Sequence, residues 1–420
     1  MRAVRSPRPV LLTAVLAVGL AAGPVLPAPP SVAAPPAGEN GCVRDVADPG
    51  QPMPDEKPST AVPSLLRLDE AHRVSRGRGV GVAVIDSGVD AGTGALDVRG
   101  GLSVGGARAG RPEDAHGTIV AGLVAGDDRK RGIVGIAPGA HVVPIRVLDG
   151  DSEVVDEGLR LEAGNLATGI REAIKLRKSQ NVRVINLSLV LDEPSRAVAD
   201  AIAAAQNAGI LVVSAVGNRP PDETGTGPAD PYRVGEKQVR FPATEKGVLG
   251  VTALDAGGDL DPTFVWTGPG TDVSAPAVEA LSVTVGGAAC GIVDVASSWA
   301  TAQVSGLAAL LFAEDETLTP AQASTRIVAT ARGAVHDSAL DGHGMIQPLE
   351  ALTADLEIAK DGRLRSAPAY TAPRAEVQAP EPPRDISEES RQTMLWWAIG
   401  AGGFLLLGLL LRPLTAGRRT

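Results

Sequence analysis

From Val80 to Ile85 the chain runs without a polar residue and then stops at Asp86-Ser87-Gly88. An unbroken apolar run this short suits a strand covered on both faces, not one with a wet side. The same type recurs at 140–149 (AHVVPIRVLD), 182–189 (VRVINLSL), 209–218 (GILVVSAVGN) and 247–255 (GVLGVTALD). Helical patterns lie between these runs: HGTIVAGLVAG (116–126), GNLATGIREAIKLRKSQ (164–180) and SRAVADAIAAAQNAG (195–209). The last closes on Asn207-Ala208-Gly209, a helix stop. Strands alternating with helices predict right-handed βαβ units, hence an α/β fold with a mostly parallel central sheet and helices on both faces. In such sheets ligands bind beyond the carboxyl ends of the strands. Asp86, Asn186 and Asn218 stand at or near such ends.

The two ends of the chain carry other patterns. Arg2, Arg5 and Arg8 precede an apolar run from Val10 to Ala22, and the small residues SVAA follow. This is the layout of a secretory signal peptide, expected over 1–34 with removal near Ala34; an uncleaved anchor is the alternative. Residues 35–65 form a Pro-rich extension. Near the other end, 395–411 (LWWAIGAGGFLLLGLLL) has no charge, opens on Trp396-Trp397 and is followed by Arg412, Arg418 and Arg419. This predicts a membrane-spanning helix over 393–412 and a short cytoplasmic tail over 413–420. Residues 358–392 are rich in Pro and acidic side chains and read as an extended linker. Residues 66–357 remain for one globular domain, placed outside the cell membrane on a single-pass anchor.

Composition narrows the class of function. The 420 residues are 44% hydrophobic and 21% charged, which is globular, and a net charge of −10 argues against a nucleic-acid partner. Aromatics make up only 2%, so the core must be aliphatic. Cys42 and Cys290 are the two cysteines, too few for a disulfide scaffold or a thiolate zinc site. Export makes a Cys42–Cys290 bridge available; two free thiols are the alternative, because sequence carries no proximity.

The candidate chemistry sits where the sheet edge should face solvent. Asp86 ends a strand, His116 starts a helix after a long loop, Asn218 ends another strand, and Ser297-Ser298 precede an Ala/Gly-rich helix. An acid, an imidazole, an amide and a hydroxyl are the parts of nucleophilic acyl transfer: a weak nucleophile, a base, a group that orients the base, and a donor for the oxyanion. Each alone has a plainer reading as a turn former, a structural histidine or a helix cap. His72, His141, His336 and His343 match no ligand spacing and read as structural. The acidic stretch 149–158 (DGDSEVVDEG) lacks EF-hand spacing and reads as a solvated loop, so no metal or other cofactor is expected.

Taken together, AVIDSGVD, HGTIVAGLVAG and SSWATAQVSGLAALL resemble the three signature blocks of the subtilisin-like serine proteases, in that family's order of Asp, His, Ser. GIVGIAPGAHVVPIRVLD, VVSAVGN and the SAP at 274–276 are similar to further family segments. The resemblance implies Asp86 as the group orienting the imidazole, His116 as general base, and Ser298, not Ser297, as nucleophile. It implies Asn218 as oxyanion donor beside the Ser298 backbone N–H, and Ser188, Val190, Ala215, Val216 and Gly217 as substrate-binding positions. A Cys-bearing extension, a Pro-rich tail and one terminal membrane helix resemble the mycosins, membrane-anchored subtilases of type VII secretion systems. That implies a protein or peptide substrate, a secretion membrane complex as partner, and an extension that wraps the domain instead of leaving it.

Five departures from the family's pattern stand out. Ala296 stands where the family has glycine; if that position needs φ > 0, its Cβ costs roughly 1–2 kcal/mol. Ser297 replaces threonine but keeps a hydroxyl. Val190 and Val216 stand where smaller residues are usual, and Val216 is expected to narrow the pocket toward small side chains such as Ala before the scissile bond. Ala302 replaces a usual proline. A subtilase-fold structural subunit with a weak site is the alternative to an active endopeptidase. An α/β hydrolase is excluded, because no G-x-S-x-G surrounds Ser298 and the order of the three groups is wrong.

Overall fold

The computed structural model describes residue 42, residues 61–105, 112, 114–150, 159–219, 240–261, 264–266 and 268–365, and the backbone of 388–415 with the side chains of 393–409. The expected signal peptide, most of the extension and residues 366–387 of the linker lie outside the described residues, as does 151–158 of the acidic stretch; residues 388–392, expected to be linker, are helical.

In chain order, the helices α1 (Ala61–Leu65) and α2 (Leu68–Val74) lead into strand β1 (Gly81–Asp86). The chain is therefore already helical inside the stretch read as extension. Next come β2 (Leu102–Ser103), helix α3 (His116–Ala125), the short pair β3 (Asp127–Asp128) and β4 (Ile133–Val134), and β5 (His141–Arg146). Helix α4 (Ala163–Lys175), β6 (Val182–Leu187), helix α5 (Arg196–Asn207), β7 (Leu211–Ala215), β8 (Leu249–Leu254) and β9 (Val273–Pro276) follow. The hairpin β10 (Leu281–Val283) and β11 (Ala289–Gly291) precedes helices α6 (Ser297–Glu314), α7 (Pro320–Ala329) and α8 (Pro348–Thr353).

Among the described residues, seven strands form one sheet in the order β2-β5-β1-β6-β7-β8-β9. Every ladder in it is parallel. Side chains alternate across it, as a strand requires. Val82 and Val84 of β1 join Val184, Leu211, Val213, Leu249 and Val251 in the core beneath α3 and α6. Ala83 and Ile85 face the other way with Val143, Ile145, Ile185 and Val212, beneath Leu166 and Ile170 of α4 and Val198 and Ile202 of α5. Both faces are thus dry, which is why the strands read as unbroken apolar runs. The path goes from β1 to β5 on one side and returns through β6 on the other, so strand order reverses at β1. A crevice opens at such a reversal beyond the strand ends, and Asp86 is the last residue of β1.

α6, like α3, has no exposed face. From Ser297 to Phe312 it is buried on all sides, packed across the sheet and against α3. Small residues on every face allow this, where an amphipathic sequence would not. On the β10–β11 hairpin, Cys290 is disulfide-bonded to Cys42, 248 residues earlier, and the Cys42 N–H donates to the Gly291 carbonyl at 2.9 Å.

Residues 358–363, expected to belong to the linker, pack with the domain. Gln322 Nε2 donates to the Ile358 carbonyl and Thr325 Oγ1 to that of Gly362. Their partners are backbone groups, which composition does not reveal. A second unit comprises 355–357 and 364–420 and contains helix α9 (Glu388–Thr415). Among the described residues no helix is long and apolar enough to cross a membrane. The run expected to span begins inside α9 and continues past residue 409, beyond which side chains are not described.

Candidate active site

β1 ends by delivering Asp86, fully buried, to the floor of the crevice. Its Oδ1 accepts the Ser87 N–H at 2.7 Å and pairs with His116 Nδ1 at 2.8 Å. A carboxylate at Nδ1 only accepts, so the proton sits on that nitrogen and Nε2 is left as a base. His116 is the first residue of α3, and its backbone N–H is held by Asp114 Oδ1 at 2.7 Å. The residue after it has to be glycine: a Cβ on Gly117 would lie 2.2 Å from the Gly88 carbonyl oxygen and 3.1 Å from Asp86 Cβ. Ser87 completes the joint, its hydroxyl donating to the Asp114 carbonyl at 3.0 Å and accepting from the Gly117 N–H at 3.1 Å. Sequence reading passed over Ser87, though its place between Asp86 and Gly88 was visible.

α6 brings the hydroxyls. Ser297 and Ser298 are its first two residues and both are buried. Ser298 Oγ donates to the Ser188 carbonyl at 3.3 Å, and Ser188 Oγ donates to the Ser298 carbonyl at 2.9 Å. Asn186, one of the strand-end polar residues, is fully buried and structural. Its Nδ2 donates to Ser188 Oγ at 3.0 Å, and its Oδ1 accepts from Ser305 Oγ at 2.9 Å. β6 and α6 are thereby stitched together directly behind the site.

Asn218 follows β7. Its Oδ1 accepts both the Ser297 N–H at 2.7 Å and the Ser297 hydroxyl at 2.9 Å, while Ser297 Oγ accepts the Gly217 N–H at 3.1 Å. With the amide oxygen occupied inward, the Nδ2 donors turn outward. Ser297 is therefore the latch that sets the amide.

Asp86, His116, Ser188, Val190, Ala215, Gly217, Asn218 and Ser298 all line one cleft of about 310 Å³. Of the residues expected there, Val216 does not: it is 4% exposed, in the core wall behind the cleft. Val190 does line it. Its Cγ2 lies 3.2 Å from where a Cβ on Gly217 would sit, and Gly217 has φ 101, a conformation that favours glycine. Ala296 has φ −140 and ψ 137, an extended backbone open to any residue, so the expected strain does not arise.

The cleft also takes in Leu148, Gly150 and Leu161, which sequence reading did not single out. Behind them, Arg146, 1% exposed, donates through Nε to Asp149 Oδ1 at 2.7 Å. Asp149 Oδ2 accepts the Leu159 N–H at 2.7 Å. Asp149 is thus an ion-paired clasp at the base of the acidic stretch, not part of a solvated loop. A contact 146-to-149 inside an apolar run gave no period by which to find it.

The subtilase family profile matches residues 77–344. Mycosin-1 of Mycobacterium tuberculosis is 34% identical over 330 residues, which span 70% of this chain and 73% of that protein. The thermostable alkaline protease of Halalkalibacterium halodurans is 31% identical over 285 residues, 67% of this chain and 70% of that one. Among solved structures, MycP1 from Mycobacterium smegmatis superposes with a TM-score of 0.61 at 29% identity, covering 78% of this chain and 91% of that chain. A chain of the intact ESX-5 inner membrane complex superposes with a TM-score of 0.61 at 26% identity, covering 90% and 95%.

Proposed function

Because the chain belongs to the subtilase family of serine endopeptidases, as a mycosin-type member, we propose that it cleaves peptide bonds through Asp86, His116 and Ser298 while anchored to the outer face of a cell membrane. The observation that carries this reading is the His116–Asp86 pair at 2.8 Å, which leaves Nε2 as a base in the cleft that Ser298 and Asn218 also line.

In the proposed reaction the Ser298 hydroxyl leaves the Ser188 carbonyl, a contact at 3.3 Å long enough for a hydroxyl to exchange readily. It gives its proton to His116 Nε2 as Oγ attacks the scissile carbonyl. Buried Asp86 stabilises the imidazolium that forms. Asn218 Nδ2 and the Ser298 N–H hold the oxyanion, and the positive end of α6 adds to their effect. The imidazolium then protonates the leaving amine, and water, activated by the same base, hydrolyses the acyl-enzyme.

For localisation, the leader carries the domain across the membrane and is removed near Ala34, and the apolar run 395–411 holds it there with its arginines inside. A secretion membrane complex is the proposed partner; the likeness to a chain of the ESX-5 assembly supports it. That likeness also favours a second reading, in which the domain serves chiefly as a structural subunit.

Two measurements separate these. The full-length chain in detergent should be labelled by a fluorophosphonate, and Ser298→Ala should abolish the labelling; a folded wild type that never labels ends the protease reading. Secretion restored to wild-type level by Ser298→Ala would make the structural role the principal one.

A further inference from the structure

Trp299 follows the proposed nucleophile in the first turn of α6 and is 4% exposed. Its ring centroid lies 5.1 Å from that of the His116 imidazole, with the planes at 40°. Its indole Nε1–H is buried with no hydrogen-bond partner. A buried donor left without an acceptor costs free energy, so this side chain is not held here for its polar group. What it offers is an aromatic surface beside the base.

The charged groups around His116 come from two other elements. β1 supplies Asp86 at Nδ1, and the turn before α3 supplies Asp114, whose carboxylate takes the His116 backbone N–H. α6 adds an uncharged hydroxyl at Ser298 and the ring of Trp299. A cation within about 6 Å of an indole centroid is attracted by the ring quadrupole more strongly than a neutral imidazole is. The attraction therefore increases as His116 accepts a proton, and it is this increment that can speed a reaction. Since Ser298 and Trp299 are consecutive, one helical turn gauges both the nucleophile and the surface on which the base rests.

We propose that Trp299 is a positioning residue for the reaction: it fixes the plane of the His116 ring and steadies the imidazolium formed when that ring takes the serine proton. This rests on the reading of His116 as the base for Ser298.

The test compares Trp299→Phe and Trp299→Leu in the full-length chain in detergent, by fluorophosphonate labelling rate against pH. Without an aromatic surface the imidazolium loses its proton more readily, so the base becomes available at lower pH. Trp299→Leu should lower the plateau rate about threefold and move the acid limb about half a pH unit lower. Trp299→Phe should keep most of both. A folded Trp299→Leu whose acid limb stays at the wild-type midpoint, or a Trp299→Phe no better than it, overturns the proposal.

A second readout does not need activity. With Trp266, Trp396 and Trp397 replaced by Phe, the emission of Trp299 should fall as pH drops through the protonation of His116, and His116→Gln should remove that step. If the chain never labels yet this step is present, the fault lies with the catalytic reading and the contact stands. Emission independent of pH overturns the contact.

Discussion

At the scale of single residues, the site depends on side chains that hold other side chains. Asn218 can aim its amide outward because Ser297 occupies the oxygen with two hydrogen bonds. If Asn218 is the oxyanion donor proposed above, Asn218→Leu should lower kcat by about 10²–10³ with little change in KM. Ser297→Ala removes one of the two latch bonds and leaves the backbone N–H, so a loss of about tenfold in kcat is expected; an unchanged kcat would show the latch to be dispensable. Val190 sets the other limit. Its Cγ2 lies 3.2 Å, and Trp266 Cδ1 3.1 Å, from where a Cβ on Gly217 would sit, so the two side chains crowd the cleft wall at Gly217. Wild type should prefer Ala before the scissile bond, and Val190→Gly should raise kcat/KM for Leu relative to Ala by about tenfold. Cleavage by wild type after Phe or Leu in preference to Ala would refute this. The strain anticipated at Ala296 depended on a backbone angle, and sequence carries no angles.

At the scale of elements, two kinds of signal separate. Strands covered on both faces announce themselves as apolar runs, and α4 and α5 lie close to where their periodicity predicts. α6 gave a helix of small residues but not its place, because a helix buried on every side has no preferred face to read. α7 has a local signature that sequence reading did not use. Thr319 is its N-cap, accepting from the Gln322 N–H at 3.1 Å, while Gln322 Oε1 accepts the Thr319 N–H at 3.0 Å and Pro320 fills the first turn. The same hydroxyl donates to the Lys360 carbonyl at 2.8 Å. Thr319→Ala should therefore cost about 1–2 kcal/mol, read as a lower denaturant midpoint at unchanged slope; an unchanged midpoint would mean that the cap adds nothing. This hydroxyl also joins residues 358–363 to the domain, a link made through backbone that a Pro-rich composition concealed.

At the scale of the molecule, one buried and one partly buried histidine tie stability to pH. His72 and His141 have their pKa values held below the ordinary 6.5, in both cases chiefly by burial. Each meets a carbonyl through Nε2, Ile136 at 2.9 Å and Gln180 at 2.8 Å. The unfolded chain binds more protons than the folded one once pH falls toward 6.5, so stability rises with pH across this window. Their contribution is complete above about pH 6.5 and is lost as pH falls through the lower folded values. The melting temperature should be flat above neutrality and decline as pH falls below about 6.5. His141→Gln should shallow that decline, and equal melting temperatures at pH 5 and 7.5 would contradict the assignment. The bond from Cys42 to Cys290 acts at the same scale, pinning a residue of the extension to the hairpin that leads into α6.

The sequence by itself determined the layered α/β architecture, because burial on both faces of a parallel sheet leaves an unbroken apolar imprint on the chain. It also offered an acid, an imidazole, an amide and two adjacent hydroxyls at strand ends and helix starts, and the resemblance to the subtilases chose among them. Tertiary structure alone decided which neighbours hold those groups. The latch from Ser297 to Asn218, the clasp from Arg146 to Asp149, the valine at Gly217 and the indole beside His116 are set by how the loops fold back on one another. No spacing along a one-dimensional chain fixes the distance between two such loops; only their packing does.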